Sequence, residues 1–115
     1  MDLSHIEDLV MQYECALKDE YRLRRDAEAE EDAYDQLEGL IINDGYVNGV
    51  IDGKNKQTRD AQEAALIADS DALRDAREEV EQLQRQAERM TAKRKALEAE
   101  IGLTRAWLYS QASIG

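Results

Sequence analysis

The chain has 115 residues, 36% of them charged and 5% aromatic, with five Tyr, one Trp, no Phe and no Pro. That excludes a β-sandwich or barrel, which needs many turns and many β-branched or aromatic residues, and it leaves too few large apolar groups for a thick globular core. The composition is that of long helices sharing a narrow seam. A formal charge of −11 and a pI near 4.5 repel nucleic acid and disfavour anionic membrane surfaces. Residues 1–44 hold 14 acids and 4 bases, and residues 45–115 hold 12 and 11, which assigns the acidity mainly to the first helix. Cys15 is the only cysteine, so no intramolecular disulfide can form and a reducing interior is expected. No apolar run approaches the roughly 18–20 residues that span a bilayer, and Met1–His5 lacks the basic and apolar regions of a signal peptide; a cytoplasmic protein is expected.

In chain order, Ser4-His5-Ile6-Glu7 has the form of a capping box, and Asp8 adds negative charge where the helix dipole favours it. Ile6, Val10, Tyr13 and Leu17 step by four, three and four; the stripe thins over 22–32 and resumes at Tyr34, Leu37, Leu40 and Ile41. This predicts a helix over about 5–42. Residues 43–56 are the break, a turn built on Gly45, Gly49 and Gly53, with Asp52-Gly53 suited to positive φ and Asn55 to an N-cap. The arm over 57–110 has a second cap, and a place to break or kink, at Asp69-Ser70-Asp71. Its heptads are the most regular feature. Leu73, Val80, Ala87, Arg94, Ile101 and Leu108 occupy a; Ala76, Leu83, Met90, Leu97, Thr104 and Gln111 occupy d.

The chemistry-bearing motifs fail on spacing. Gly49–Asn55 has three residues between its glycines where a P-loop has four, and Asn55 stands where the magnesium-ligating hydroxyl belongs. A calcium loop counted from Asp44 has Tyr46 at position three and Asn55 at twelve, losing an oxygen ligand and the bidentate Glu. His5, the sole histidine, reads as a solvated residue without the spaced partner a di-iron bundle requires. It lies about 15 Å along the helix from Cys15, too far for proton transfer, and Cys15 reads as a small buried or half-buried hydrophobe. No catalytic set, metal site or cofactor is expected. Arg85, Arg89, Lys93, Arg94 and Lys95 form a basic stretch that a hairpin returns alongside Asp2, Glu7 and Asp8, which favours pairing within the chain or between subunits over nucleic acid.

From Leu37 to Leu108 the chain resembles a group of small phage and prophage proteins with an acidic first helix, a Gly-Lys-Asn turn, an Arg four residues on and a long Glu/Leu/Arg-rich helix. The matching residues are Gly53-Lys54-Asn55, Arg59, Ala61 and the heptads from Leu73 to Leu108. The resemblance implies a setting near phage recombination or replication genes in a bacterial host, and no catalytic residue.

The expectation is one all-α domain over 1–115, an elongated antiparallel helical hairpin or coiled coil that assembles into a homo-oligomer. Its seam pairs Ile6, Val10, Tyr13, Leu17, Tyr34 and Leu37 with Ala61, Ala64, Ala65, Leu73, Val80, Leu83 and Met90. A first helix of about 50 Å against an arm of about 80 Å leaves some 20 residues without a partner from the same chain. Those carry Leu97, Ile101, Leu103, Trp107, Leu108 and Tyr109, an apolar stripe expected to bind another copy or a protein partner, with Arg94 fixing register. The functional expectation is therefore a non-catalytic interaction protein that does not bind nucleic acid or membrane. The alternatives are a nucleic-acid-binding recombination accessory and an acidic nucleic-acid mimic, whose face would be Asp19, Glu20, Asp26, Glu28, Glu30, Glu31, Asp32 and Asp35.

Overall fold

Without proline, good helix formers leave few places for a helix to stop. The computed structural model, which describes residues 3–114, has three helices: α1 (Leu3–Val47), α2 (Lys56–Asp69) and α3 (Asp71–Ile114). The fold is all-α, with no strand among the described residues, and its helices pair antiparallel as the sequence predicts.

The helix ends follow from local chemistry. α1 continues past the expected stop near 42 because Gly45 is accommodated in its last turn. It ends in a Schellman motif, with Gly49 at φ +77°, Val50 N–H donating to Gly45 O at 2.9 Å and Gly49 N–H to Tyr46 O at 3.3 Å. The positive φ thus falls at Gly49 and not at Gly53. Gly53 is needed for space: a Cβ there would lie 2.7 Å from Thr58 Cγ2 and 3.0 Å from the Arg59 backbone nitrogen. Asn55 caps α2, its side-chain oxygen accepting from Thr58 N–H at 2.8 Å. Ser70 breaks the arm and serves both sides of the break. Its N–H donates to Ile67 O, and its hydroxyl accepts from Leu73 N–H at 3.2 Å. At the other end, α1 is already helical at Leu3, so the Ser4–Glu7 box lies inside the first turn and does not mark the start.

The chain forms two compact units. In unit 1, Met1–Arg25 with Leu83–Gly115, the core is Leu9, Ala16, Leu97 and Ile101, with Val10, Tyr13 and Met90 against it. In unit 2, Asp26–Gln82, the buried groups are Ala27, Gly45, Ile51, Leu73 and Val80.

The α3 heptads are the seam. At a, Leu73, Val80, Ala87 and Ile101 are buried and Arg94 and Leu108 half-buried; at d, Leu97 and Thr104 are buried and Ala76, Leu83 and Met90 half-buried. α1 carries a matching repeat that the four-three-four stripe misses. Ile6, Tyr13, Glu20, Ala27, Tyr34 and Ile41, with Leu9, Ala16, Leu23 and Leu37, are all buried or half-buried. Val10 is half-buried and Leu17 exposed, because steps of four, three and four run out of phase with a seam stepping three and four. Ala61, Ala64 and Ala65 are exposed; Leu66 and Ile67 are the half-buried apolar residues of α2.

The expected surplus of unpaired arm is absent. α1 has 45 residues and α3 has 44, about 67 and 66 Å long, and in unit 1 the first core residues of α1 pack on Leu97 and Ile101. Leu97 and Ile101 therefore belong to the chain's own seam. No helix among the described residues is long and apolar enough to cross a membrane.

Candidate functional site

The glycine-rich loop is knitted to α2 by its own side chains. Gln62 Oε1 accepts from the backbone N–H groups of Asp52 (3.1 Å) and Gly53 (2.9 Å), and its amide donates to Asp52 Oδ1 at 2.8 Å. Arg59 donates to Gly53 O at 3.3 Å. Tyr46 OH donates to Glu63 Oε1 at 2.6 Å, and the Glu63 carboxylate beside it raises the Tyr46 pKa above the usual phenol value. Gly53, Asn55 and Arg59, the residues of the Gly-Lys-Asn pattern, thus have structural roles: a close approach, a helix cap and a clamp. The backbone amides of Asp52 and Gly53 and the Asp52 carboxylate, which lie within the segment compared with a phosphate or calcium loop, are already bonded to Gln62. Among the described residues no group of three or more His, Cys, Asp and Glu could hold a metal ion.

In unit 1 the seam carries a polar layer. Arg94 and Glu20, both at a positions, form an ion pair at 2.6 Å with side chains only 20% and 13% exposed. Arg24 donates to Thr91 Oγ1 at 2.6 Å, and Thr91 in turn donates to Ala87 O. The hydrogen bond from Arg94 is the main cause of a Glu20 pKa below the usual carboxylate value, and Glu20 raises that of Arg94. A paired charge at an a position penalises any register that separates the two, so Arg94 fixes the pairing of α1 with α3 in its own chain. Thr104, the other polar core position, is 1% exposed and satisfied by donating to Glu100 O at 2.8 Å.

The predicted interaction residues separate. Leu97 and Ile101 are buried and Leu108 half-buried, while Leu103, Trp107 and Tyr109 are 72%, 43% and 74% exposed. Leu103 continues a face outside the seam. Ala92, Ala96, Ala99, Leu103 and Ala106 step by four, three, four and three and are all exposed; Trp107 and Tyr109 flank them. This second apolar period was open to sequence inspection, but the heptads of the inner seam masked it. His5 is half-buried, and Cys15 exposed, because Cys15 points away from the seam.

Of the predicted acidic face, Glu28, Glu30, Glu31, Asp32 and Asp35 are exposed, Asp26 is half-buried, Asp19 bonds Arg22 at 3.7 Å and Glu20 sits in the seam. Asp2 lies outside the described residues, and Asp8 accepts from Gln12. Among the described residues the basic stretch makes no ion pair with Glu7 or Asp8: register brings Arg94 to Glu20, while Arg85, Arg89, Lys93 and Lys95 are exposed and make no ion pair there.

Tertiary pairing redistributes the charge. Unit 2 holds 17 acids and 5 bases, net −12; unit 1 holds 9 acids and 10 bases, net +1. Within unit 1, residues 18–25 and 85–95, which meet through Glu20–Arg94 and Arg24–Thr91, carry nine bases and three acids, net +6. The acidity therefore follows unit 2 rather than the first helix.

Compared with protein-family models, curated proteins and solved structures, the chain has no significant match to any.

Proposed function

We propose that the protein is a non-catalytic interaction protein whose outer α3 face in unit 1 receives an amphipathic helix of another protein. The observation that carries this reading is the exposure of Leu103, Trp107 and Tyr109 on a helix whose a/d seam is already filled by its own chain. The four-three spacing of Ala92, Ala96, Ala99, Leu103 and Ala106 suits a helical partner, since small side chains let a second backbone come close while Leu103 and Trp107 supply the buried area. The resemblance of the Gly53-Lys54-Asn55 turn supports a phage or prophage setting beside recombination or replication machinery. In a pull-down from host and phage lysate, a partner bound through this face stays on the wild type at about 0.5 M salt. A Leu103→Glu, Trp107→Ala variant with unchanged helicity and melting loses it. Retention by that variant overturns the reading.

A second reading rests on the net charge of −12 in unit 2. The exposed Glu28, Glu30, Glu31, Asp32 and Asp35 can imitate a phosphate backbone toward a basic groove. That reading requires capture that falls steeply with salt and is insensitive to Leu103→Glu.

A further inference from the structure

Asp44-Gly45, Asn48-Gly49 and Asp52-Gly53 each set a side-chain carbonyl carbon next to a glycine nitrogen, the arrangement from which a cyclic imide can close. The fold occupies two of the three. At Asp52-Gly53 both reacting groups are held by Gln62, whose amide donates to Asp52 Oδ1 at 2.8 Å and whose Oε1 accepts from Gly53 N–H at 2.9 Å. Gly45 is buried inside α1, with its N–H in the helix ladder and the space beside it filled by Leu66 and Ile51. Asn48-Gly49 lies just past the end of α1 and is exposed. The Asn48 side chain makes no hydrogen bond among the described residues, and nothing lies within 4 Å of where a Gly49 Cβ would sit. Gly49 N–H donates only to Tyr46 O, at 3.3 Å, longer than the usual range of about 2.7–3.2 Å.

We propose that Asn48 is a site of spontaneous covalent modification, converting to aspartate and isoaspartate through an imide closed with Gly49. Gly49 N–H gives up its proton to hydroxide, and the nitrogen attacks Asn48 Cγ. As the N–Cγ bond forms, the Cγ–Nδ2 bond breaks, and Nδ2 takes a proton from water and leaves as ammonia. One water then opens the ring. Cleavage at Cγ leaves aspartate; cleavage at the Asn48 carbonyl carbon leaves isoaspartate, whose main chain runs through Cβ and Cγ. Glycine suits the attack because no Cβ blocks the approach. The product bears on the fold. Isoaspartate lengthens the main chain by one carbon ahead of Gly49, which displaces the N–H groups of Gly49, Val50 and Ile51 from the Tyr46 and Gly45 carbonyls they bond. Ile51 is 4% exposed, and these bonds set its entry into the unit 2 core. Either product also adds a negative charge at the C-terminal end of α1, where the helix dipole disfavours it. Conversion thus loosens the stop of α1. The partner face on α3 takes no part, so this inference stands or falls independently of the proposed function.

The test is peptide mapping of the full chain aged at neutral pH and body temperature. The readouts are the mass gained when NH2 is replaced by OH and labelling by an isoaspartate-specific methyltransferase. Asn48 should convert about tenfold or more faster than Asn43 or Asn55, and isoaspartate at Asp44 or Asp52 should be slower by a similar factor. The rate should rise with pH, since the attacking group is the deprotonated amide. Gln62→Ala, which frees Asp52 and Gly53, should bring isoaspartate to Asp52. Aged wild type should melt about 4 °C or more below fresh protein. Asn48→Gln, which keeps the amide but closes the larger ring far more slowly, should melt alike before and after ageing. An Asn48 that stays intact in the folded chain, under conditions that convert it in urea, overturns the proposal. So does isoaspartate that forms at Asp44 or Asp52 of the folded wild type as fast as at Asn48. A melting loss that Asn48→Gln shares on ageing overturns the effect on unit 2.

Discussion

The two units are built from the same two long helices yet are held in register by different means. Unit 1 relies on a packed seam with one ion pair set into it, Glu20 with Arg94 between the Met90 and Leu97 layers, and its net charge is +1. Unit 2 is organised around its loop, where Gln62, Asn55, Arg59 and Tyr46 take up the polar groups, and it carries a net −12. Long antiparallel helices with small apolar side chains can slip by a heptad at little cost. A charge that must find its partner prevents slippage far from the turn, and a loop of defined geometry prevents it near the turn.

Core truncation should give the largest effect. Leu97→Ala in unit 1 and Leu73→Ala in unit 2 each remove a buried seam side chain and should each cost about 2–3 kcal/mol in urea unfolding, the lower part of the range because a thin seam can close over the gap. Hydrogen exchange would show whether each loss is confined to its own unit. Equal acceleration in both units by either variant would mean one cooperative structure and would break the comparison.

The pH limits of the two units should differ in sign. Glu20 has a lowered pKa in the folded chain, chiefly through Arg94, so its contribution is complete above the unfolded carboxylate value and is lost as pH falls through the folded one. Tyr46 has a raised pKa beside Glu63, so its contribution is complete below the unfolded phenol value and is lost as pH rises through the folded one. Melting curves should show Glu20→Gln converging on wild type in acid and Tyr46→Phe converging on it in alkali. Parallel curves across either range would remove that group from the account.

Salt should also divide the units. Screening of the charge on unit 2 should slow its amide exchange between about 20 and 200 mM salt, while unit 1, near neutrality, should change little. Slowing confined to unit 1 would contradict the charge partition.

The smallest effects belong to two helical glycines. A Cβ at Gly39 or Gly102 meets nothing within 4 Å, so Gly39→Ala and Gly102→Ala should each stabilise by about 0.5–1 kcal/mol in thermal melts. Gly45→Ala should do the reverse, since its Cβ would lie 2.5 Å from Leu66 Cδ1 and 2.9 Å from Ile51 Cδ1.

The sequence by itself determined the all-α class, the α3 heptads, the Asn55 cap and the break at Ser70. Each is written in spacing or capping chemistry within a few residues. It did not disclose the α1 seam, because Glu20 and the alanines at 16 and 27 carry too little hydrophobicity to mark a face, and only a partner helix makes them inner positions. Nor did it disclose that Leu97 and Ile101 are covered. That depended on α1 running on through Gly45 to a Schellman stop at Gly49, which lengthens it to match α3. The separation of charge into −12 and +1 was likewise decided by tertiary structure. Antiparallel pairing sets the basic stretch at 85–95 beside residues 18–25, and no count taken along the chain joins segments that are about 70 residues apart.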